Sequence, residues 1–398
     1  MNESTPSASL PPLPFALPDI GEEEIAEVVD TLRSGWLTTG PKTKRFEEAF
    51  AEFLGDTSLH CIAVNSATAG LHLAIEAAGV VAGDEVITTT HTFTASAEVI
   101  RYLGAEPVIV DIEPNSWCID PAQIERHITA RTKAIIPVHF GGRSANMTAI
   151  HAIAKKHGLK VIEDAAHSLP ATHGAKMIGT LPSDATVFSF YANKTMTTGE
   201  GGMLVTRDEA LAQRARIMRL HGIDRDAFAR FNSRVPAWRY DIVAPGFKYN
   251  MTDIAAALGL VQLRRAHAMQ QQRAAIAAQF DQLLAGLGIT LPPHADAGDL
   301  HAWHLYPIAL PSGVNRDAFI DAMFAQGIGM SVHYIPLHQQ SYWRDSCQLK
   351  AEDFPVSEAL YQSTASLPIY TRMTDADVRR VAAAVRVAAA VRVALEAQ

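Results

Sequence analysis

Apolar and polar positions alternate along the chain in a way that predicts strands separated by helices. Short apolar runs bounded by turn formers predict buried strands, and apolar positions every three or four residues predict helices. The predicted strands are 61–64, 85–90, 107–110, 134–138, 161–164 and 185–190, and the predicted helices include 71–78, 121–127 and 147–157. Alternation of this kind indicates a mostly parallel sheet covered by helices, which binds ligands at the carboxyl ends of its strands.

The pattern changes after a long predicted helix, which runs from Ile254 to about Leu284. A turn-rich break follows at 287–293, and the strands and helices beyond it are typical of a smaller α+β domain. We therefore predict an N-terminal arm at 1–20, a large domain at 21–262 and a small C-terminal domain at 263–398. A chain of 398 residues is long enough for two domains of unequal size.

Two neighbouring strands of the predicted sheet deliver a carboxylate and a lysine. Asp164 ends one strand, and Lys194 follows the next, between the aromatic segment FSFY and the turn TTGEGG. Pyridoxal phosphate needs a lysine amine for covalent attachment and an acidic partner for its ring nitrogen. An isolated aspartate and lysine are more often a helix cap and a surface charge, but the apolar, Gly-rich setting of Lys194 is unusual for a surface lysine. The pair predicts a pyridoxal phosphate site.

A small-residue turn between a strand and a helix predicts an anion site. Ser66, Ala67 and Thr68 follow the strand 61–64 and open the helix 71–78. Free backbone N–H groups and the helix dipole attract negative charge at such a turn. An ordinary capped helix start is the alternative, and we assign the turn to the phosphate of the cofactor.

Several segments occur in an order that resembles one enzyme family. They are SGWLTTGP, NSATAGLHLA, TKAIIPVHFGG, EDAAH, FSFYANKTMTTGEGGMLVT, PGFKYNMTDIAAALGLVQL and LPIYTRMT. Together they resemble the DegT/DnrJ/EryC1/StrS aminotransferases, from about Leu13 to the C-terminal region. The resemblance implies an α/β protein of pyridoxal phosphate fold type I, similar to aspartate aminotransferase. Its large domain would have a mostly parallel central sheet, followed by a smaller α+β domain.

The resemblance also implies a reaction. Members of the family aminate keto-sugars, mostly nucleotide-linked ones, so we expect a nucleotide-diphosphate keto-sugar as substrate and L-glutamate as amino donor, released as 2-oxoglutarate. The segments GWLTTGP, PVHF and PGFKYNMTD most resemble members that aminate C4, which make 4-amino-4-deoxy-arabinose or perosamine-like sugars. Amination at C3 stays open. The expected pathway is amino-sugar biosynthesis, of the kind that supplies lipopolysaccharide.

The resemblance assigns roles to residues at and around the predicted cofactor site. The expected catalytic residue is Lys194, which would also move a proton between the substrate and the cofactor. The expected cofactor-binding residues are Asp164, His167, Ser189, Ala67, Thr68, Ser66, Phe93 and Asn250. Phe93 would stack on the ring, and Asn250 would reach the phosphate of the other subunit, which implies a homodimer with shared active sites. A core phenylalanine and a helix-capping His167 are the competing interpretations.

Four further residues are candidate substrate contacts: Thr39, His139, Arg239 and His333. Thr39 lies in a segment that the family places beside the substrate, although a plain connection between helices is the alternative. His139 falls just beyond a predicted strand end. Arg239 lies in the poorly periodic segment 226–243, which is either functional or a surface loop.

Composition and charge exclude several classes of protein. The net charge of −8 and the isoelectric point near 6.0 argue against nucleic-acid binding. Three scattered cysteines form no CxxC pair, which favours a reducing cytoplasm over a disulfide framework. We expect no signal peptide and no membrane span. The histidine pairs 301/304 and 333/338 lack carboxylates at ligand spacing, so we expect no metal site.

Three other functions are alternatives to a sugar aminotransferase. A dehydratase branch of the family replaces the lysine by histidine, and Lys194 is present here. A non-catalytic regulator that kept the fold would be expected to have lost Lys194 or Asp164. A metal-dependent hydrolase is disfavoured, because the histidines of this sequence lack the spacing of metal ligands. The sequence therefore favours a sugar aminotransferase, with the 3-keto enzyme and the regulator as alternatives.

Overall fold

A computed structural model describes residues 11–224 and 239–395, with side chains described as far as residue 388. The strands are β1 (His60–Val64), β2 (Glu85–Thr89), β3 (Glu106–Val110), β4 (Thr132–Ile136), β5 (Lys160–Asp164), β6 (Thr172–His173), β7 (Lys176–Met177), β8 (Ala185–Ser189), β9 (Gly202–Thr206), β10 (Tyr306–Ala309) and β11 (Thr364–Leu367). The helices are α1 (Glu22–Ser34), α2 (Pro41–Phe53), α3 (Ala67–Ala77), α4 (Ala95–Tyr102), α5 (Pro121–Arg126), α6 (Met147–His157), α7 (Glu209–Met218), α8 (Asp253–Leu284), α9 (Arg316–Ala325), α10 (Ser341–Ser346), α11 (Pro355–Ser363) and α12 (Asp375–Leu395).

A seven-stranded sheet forms the centre of the molecule. Its strand order is β1-β9-β8-β5-β4-β2-β3. The neighbours among β8, β5, β4, β2 and β3 run parallel, whereas β9 runs antiparallel to both β1 and β8. Every residue of β2, β8 and β9 is buried, which is the pattern of a sheet covered on both faces. The predicted α/β fold with a mostly parallel sheet is confirmed.

The sheet order places the two candidate catalytic residues side by side. β5 and β8 are neighbouring parallel strands, and Asp164 at the end of β5 is in register with Val187 of β8. The chain leaves both strands at the same edge of the sheet. Helix α3 packs closely on β8: a Cβ on Gly70 would lie 2.7 Å from a methyl group of Val187, so only a glycine leaves room for this contact.

A second apolar core lies in the C-terminal part of the chain. It gathers residues of α8, α9 and α12 around the antiparallel pair β10–β11. Leu13 joins this core and exchanges backbone hydrogen bonds of 2.8 Å with Gly327 and Gly329. The described end of the predicted N-terminal arm is therefore attached to the C-terminal part.

Helix α8 connects the two cores without interruption. It runs from Asp253 to Leu284, through the predicted domain boundary between 262 and 263. Ala256 and Leu260 near its start belong to the core beneath the sheet, while Ile276 and Phe280 belong to the second core. The division at 262/263 remains a prediction, and a division at that point would cut a continuous helix.

Candidate active site

A cavity of about 440 Å³ lies at the carboxyl ends of β5 and β8, beside the first turn of α3. It brings together residues that are far apart in the sequence. Of the predicted site residues, those lining it are Ser66, Ala67, Thr68, Phe93, Asp164, His167, Ser189, Lys194 and His333. The structure thus gathers all but one of the predicted cofactor residues around a single space.

The carboxylate of Asp164 is held in place at the wall of this cavity. Ser96 Oγ donates a hydrogen bond of 2.7 Å to its Oδ2, and the backbone N–H of Ala166 donates one of 3.1 Å to its Oδ1. Ser96 Oγ is itself 2.8 Å from Thr92 Oγ1. The side chain is nearly buried, so these contacts fix its direction and compensate part of the loss of hydration. The result is a carboxylate fixed beside the cavity.

Lys194 presents its amine to the same cavity. Burial lowers the pKa of this amine to about 8, although the negative charge of Asp164 acts in the opposite direction. Within residues 11–224 and 239–395, no hydrogen bond or ion pair holds its Nζ. A lysine with a lowered pKa and an unengaged amine is suited to covalent attachment of a carbonyl group.

The N-terminus of α3 also lines the cavity. Ser66 caps this helix, since its Oγ accepts a hydrogen bond of 3.1 Å from Ala69 N. The amides of Ala67 and Thr68 belong to the first turn, where no intrahelical acceptor exists. Gly202 of β9 must be a glycine here, because a Cβ would lie 2.8 Å from Ala67 N. Ser189 stands at the end of β8, so hydroxyl and amide donors converge on an anion site.

These groups fit pyridoxal phosphate. The cavity offers an amine for its aldehyde, a fixed carboxylate for its ring nitrogen and a helix N-terminus for its phosphate. In addition, Asn193 Oδ1 at the cavity wall is buried and has no hydrogen-bond partner among the described residues. The side chains present are therefore the set that this cofactor needs.

The chain's membership in a known family is shown by its sequence. The profile of the DegT/DnrJ/EryC1/StrS aminotransferase family matches residues 18–386. The chain belongs to this family. It is therefore an aminotransferase that uses pyridoxal phosphate.

Individual relatives extend this comparison. The spore coat polysaccharide biosynthesis protein SpsC of Bacillus subtilis is 47% identical over 378 residues, which cover 94% of this chain and 96% of SpsC. A putative sugar aminotransferase of Streptococcus pneumoniae, solved in its PMP form, is 34% identical with a TM-score of 0.89, and the match covers 95% of this chain and 99% of that one. DesI, solved in the presence of its TDP-sugar product, is 31% identical with a TM-score of 0.85, and the match covers 97% of this chain and 95% of DesI.

Two histidines of the aminotransferase lie at the inner wall of the cavity. His167 Nδ1 accepts a hydrogen bond of 3.2 Å from the backbone N–H of Gly141. Burial and the nearby charge of Lys194 hold the pKa of His167 well below its usual range. The ring of His333 stacks on Phe15 at 5.3 Å, and its Nδ1 lies 3.0 Å from Ser366 Oγ. Each ring thus has at least one fixed contact with a residue that does not line the cavity.

The structure places His139, a predicted substrate contact, away from the cavity. Its side chain is fully buried and does not line the cavity. Its Nε2 lies 2.8 Å from Glu163 Oε2, and its Nδ1 accepts a hydrogen bond of 3.1 Å from Ala145 N. Glu163 precedes Asp164 on β5, and successive side chains of a strand point to opposite faces. His139 therefore pairs with the residue on the far side of the strand from the cavity.

The remaining predicted contacts lie away from the cavity in one chain. Asn250 Nδ2 donates a hydrogen bond of 2.7 Å to Thr39 Oγ1, and Thr39 lines a separate surface cleft of about 590 Å³. Arg239 is exposed at the start of the second described range, while residues 226–238 of the predicted loop lie outside the described residues. The predicted reach of Asn250 into a second subunit remains a prediction.

The described residues lack two features of other classes of protein. Residues 11–224 and 239–395 contain no group of three or more histidine, cysteine, aspartate or glutamate side chains arranged to hold a metal ion. In the same ranges, no helix is both long and apolar enough to cross a membrane.

The pKa of Lys194 leads to a pH-dependence prediction. Only the neutral amine attacks an aldehyde, and with a pKa of about 8 roughly one-tenth of it is neutral at pH 7. The rate at which the apoenzyme captures pyridoxal phosphate should therefore rise with pH through a midpoint near 8, measured by stopped-flow absorbance. Nα-acetyl-lysine in free solution is the reference, with a midpoint near 10.5. A midpoint for the protein equal to that of the reference would contradict the assigned environment.

Proposed function

We propose that this enzyme transfers an amino group from L-glutamate to the keto carbon of a nucleotide-diphosphate sugar. The observation that carries the proposal is the placement of Lys194 and Asp164 on one cavity, which the start of α3 also lines. The family assignment supplies the reaction class. The relative solved with a TDP-sugar product, and the one named for spore coat polysaccharide biosynthesis, support a nucleotide-linked sugar in amino-sugar biosynthesis.

The residues of the cavity would divide the work of this reaction. When bound, pyridoxal phosphate supplies an electron sink for the carbon that loses its proton. Lys194 Nζ attaches the cofactor and, once released, takes and returns that proton. Asp164 keeps the ring nitrogen protonated, and the amides of Ala67 and Thr68 bind the phosphate together with the hydroxyls of Ser66 and Ser189. Each of these residues lines the cavity.

We also propose which residues of the cavity contact the cofactor ring and which lie near the sugar. The side chain of Phe93 is 57% exposed although it lines the cavity, so its ring is available to stack on the cofactor. His333 lines the same space and would lie near the sugar, while His167 would lie beside the cofactor ring. The position aminated is proposed to be C4, because the segments GWLTTGP, PVHF and PGFKYNMTD most resemble those of the C4 enzymes.

Product analysis tests the substrate and the position. Purified enzyme is incubated with ¹⁵N-labelled L-glutamate and a panel of 4-keto and 3-keto nucleotide sugars, and products are analysed by mass spectrometry and NMR. Incorporation of ¹⁵N at C4 of one substrate supports the proposal. Incorporation at C3 would show a 3-keto-sugar aminotransferase instead. No incorporation with any member of the panel would contradict a nucleotide sugar as substrate.

We further propose a cytoplasmic homodimer with shared active sites. Asn250 and Thr39 lie together beside the cleft of about 590 Å³ and outside the Lys194 cavity of their own chain. Their family roles at the cofactor and the substrate then require the cavity of a second copy. The free thiols of Cys61, Cys118 and Cys347 suit a reducing compartment.

A complementation experiment measures whether sites are shared. Lys194→Ala and Asn250→Ala each inactivate a homodimer, but a mixed dimer contains one site with both native residues. Co-expression of the two variants should restore about a quarter of wild-type activity, because half of the dimers are mixed and each has one intact site. Each variant expressed alone is the control. Activity no higher than that of the separate variants would mean that Asn250 does not act across the dimer.

A further inference from the structure

Tyr334 is a cavity residue to which no role was assigned from the sequence. It follows His333 in the segment SVHYIPLH and lines the cavity with Lys194 and Asp164. Its ring centroid lies 6.0 Å from that of Phe93 and 6.4 Å from that of Phe140. Its hydroxyl oxygen lies 2.8 Å from His167 Nε2. The C-terminal part of the chain thus contributes a phenol to the wall of the cavity.

The proton of the His167 ring can be assigned from its two partners. The backbone N–H of Gly141 points at Nδ1 from 3.2 Å, so Nδ1 accepts and carries no proton. A neutral imidazole with a free Nδ1 has its proton on Nε2, and the lowered pKa of His167 agrees with a neutral ring. His167 Nε2–H therefore donates to Tyr334 Oη.

This assignment leaves the hydroxyl proton of Tyr334 unused. Tyr334 cannot donate to Nε2, because a proton already occupies that position. No other side chain or carbonyl group among residues 11–224 and 239–395 accepts from Tyr334 Oη. Burial and the negative charge of Asp164 raise the pKa of the phenol, which keeps it protonated at neutral pH. A neutral donor with no protein acceptor therefore borders the cavity.

We propose that Tyr334 donates a hydrogen bond from its hydroxyl to an oxygen atom of the group bound in this cavity, and that His167 is the positioning residue that holds the hydroxyl. The inference rests on the proposed function in one respect, namely that the cavity holds pyridoxal phosphate and a keto-sugar in turn. Both carry oxygen atoms that can accept: the phenolic oxygen of the cofactor, and the hydroxyl and keto oxygens of the sugar. A fixed hydrogen-bond donor stabilises negative charge on such an oxygen.

The role proposed for His167 differs from the one that the resemblance implies. The resemblance places His167 against the cofactor ring or its phenolic oxygen. In the structure the ring nitrogen that carries the proton is already engaged by Tyr334, so the donor offered to the bound group is the phenol. A chain from Gly141 N–H through His167 to Tyr334 orients this donor.

The variant Tyr334→Phe tests the proposal, because it removes the hydroxyl and keeps the ring. Tyr306→Phe is the matched control: Tyr306 is fully buried in the second core, and its hydroxyl donates to Asp281 Oδ1 at 2.6 Å, away from the cavity. For both variants the absorption band of the bound cofactor is titrated with pH, and the glutamate and keto-sugar half-reactions are measured in single turnovers.

Two outcomes support the proposal and identify the acceptor. A shift of about one pH unit in the titration of the absorption band in Tyr334→Phe alone identifies the phenolic oxygen of the cofactor. An unchanged titration with a keto-sugar half-reaction slowed about tenfold identifies an oxygen of the sugar. If Tyr334→Phe and Tyr306→Phe behave alike in both the titration and the half-reactions, the proposal is overturned. Wild-type protein without a cofactor band would instead refute the proposed function, before any variant is made.

The positioning role of His167 has a separate test. If His167 orients the hydroxyl, the donor is no longer held in place in a His167→Ala background. Adding Tyr334→Phe there should then change the half-reaction rate by less than about twofold, or the titration midpoint by less than about 0.3 pH unit. The same change of about tenfold or one pH unit in both backgrounds would show that Tyr334 acts without His167, and would overturn that part of the proposal.

Discussion

Replacing Lys194 by alanine is expected to lower kcat by at least about 10³-fold. The substitution removes both the covalent attachment point of the cofactor and the base that moves the proton. Lys194 is the only lysine among those lining the cavity in the described ranges, so no neighbouring amine can replace it. The measurement is the initial rate of 2-oxoglutarate formation from L-glutamate and a keto-sugar under saturating pyridoxal phosphate.

Lys176→Ala is the matched control for this variant. Lys176 is exposed on β7 and lies outside the cavity, so its loss should leave kcat unchanged within about twofold. Substantial turnover by Lys194→Ala, within about tenfold of the wild type, would show that another group holds the cofactor. The central assignment of the site would then be wrong.

Replacing Asp164 by asparagine should reduce kcat by about 10²–10³-fold while the protein still folds. Asparagine has nearly the same shape: its Oδ1 can still accept from the backbone N–H of Ala166, and its Nδ2 can donate to Ser96 Oγ, so the side chain stays held at both ends. It carries no negative charge, and the ring nitrogen of the cofactor loses the partner that keeps it protonated. The rate assay is the same, with near-ultraviolet circular dichroism to verify folding.

Asp317→Asn provides the comparison for Asp164→Asn. Asp317 is exposed in the first turn of α9 and lies far from the cavity, so its loss of charge should leave the rate unchanged. An Asp164→Asn variant as active as Asp317→Asn would mean that the carboxylate does not support the cofactor. Asp164 would then be a structural acceptor for Ser96 only.

The fold was largely predictable, because apolar runs and their periodicity are local properties of the sequence. The alternation of strands and helices up to β8 predicted the parallel part of the sheet. Periodicity does not encode strand direction, so nothing predicted that β9 inserts antiparallel between β1 and β8. Nor could it predict that Leu13 pairs beside Ile328, since that contact joins distant parts of the chain.

The candidate site was predictable for those residues whose positions are set by the end of a single strand. Asp164 and Lys194 follow neighbouring parallel strands, so the edge of the sheet brings them together. His139 lies past its strand, where sequence alone does not decide which side a residue faces, and the structure turns it toward Glu163. The contacts of Ser96 to Asp164 and of Tyr334 to His167 were missed, because each joins segments that are distant in the sequence.

The central claim is that Lys194 and Asp164 hold a cofactor that passes an amino group from glutamate to a nucleotide keto-sugar. The absorption spectrum of the purified protein tests it most directly, recorded alone, after L-glutamate, and after each member of a panel of nucleotide keto-sugars. We expect a cofactor band that glutamate converts to the pyridoxamine form and that one keto-sugar restores. A protein that shows no such band even with added pyridoxal phosphate would contradict it.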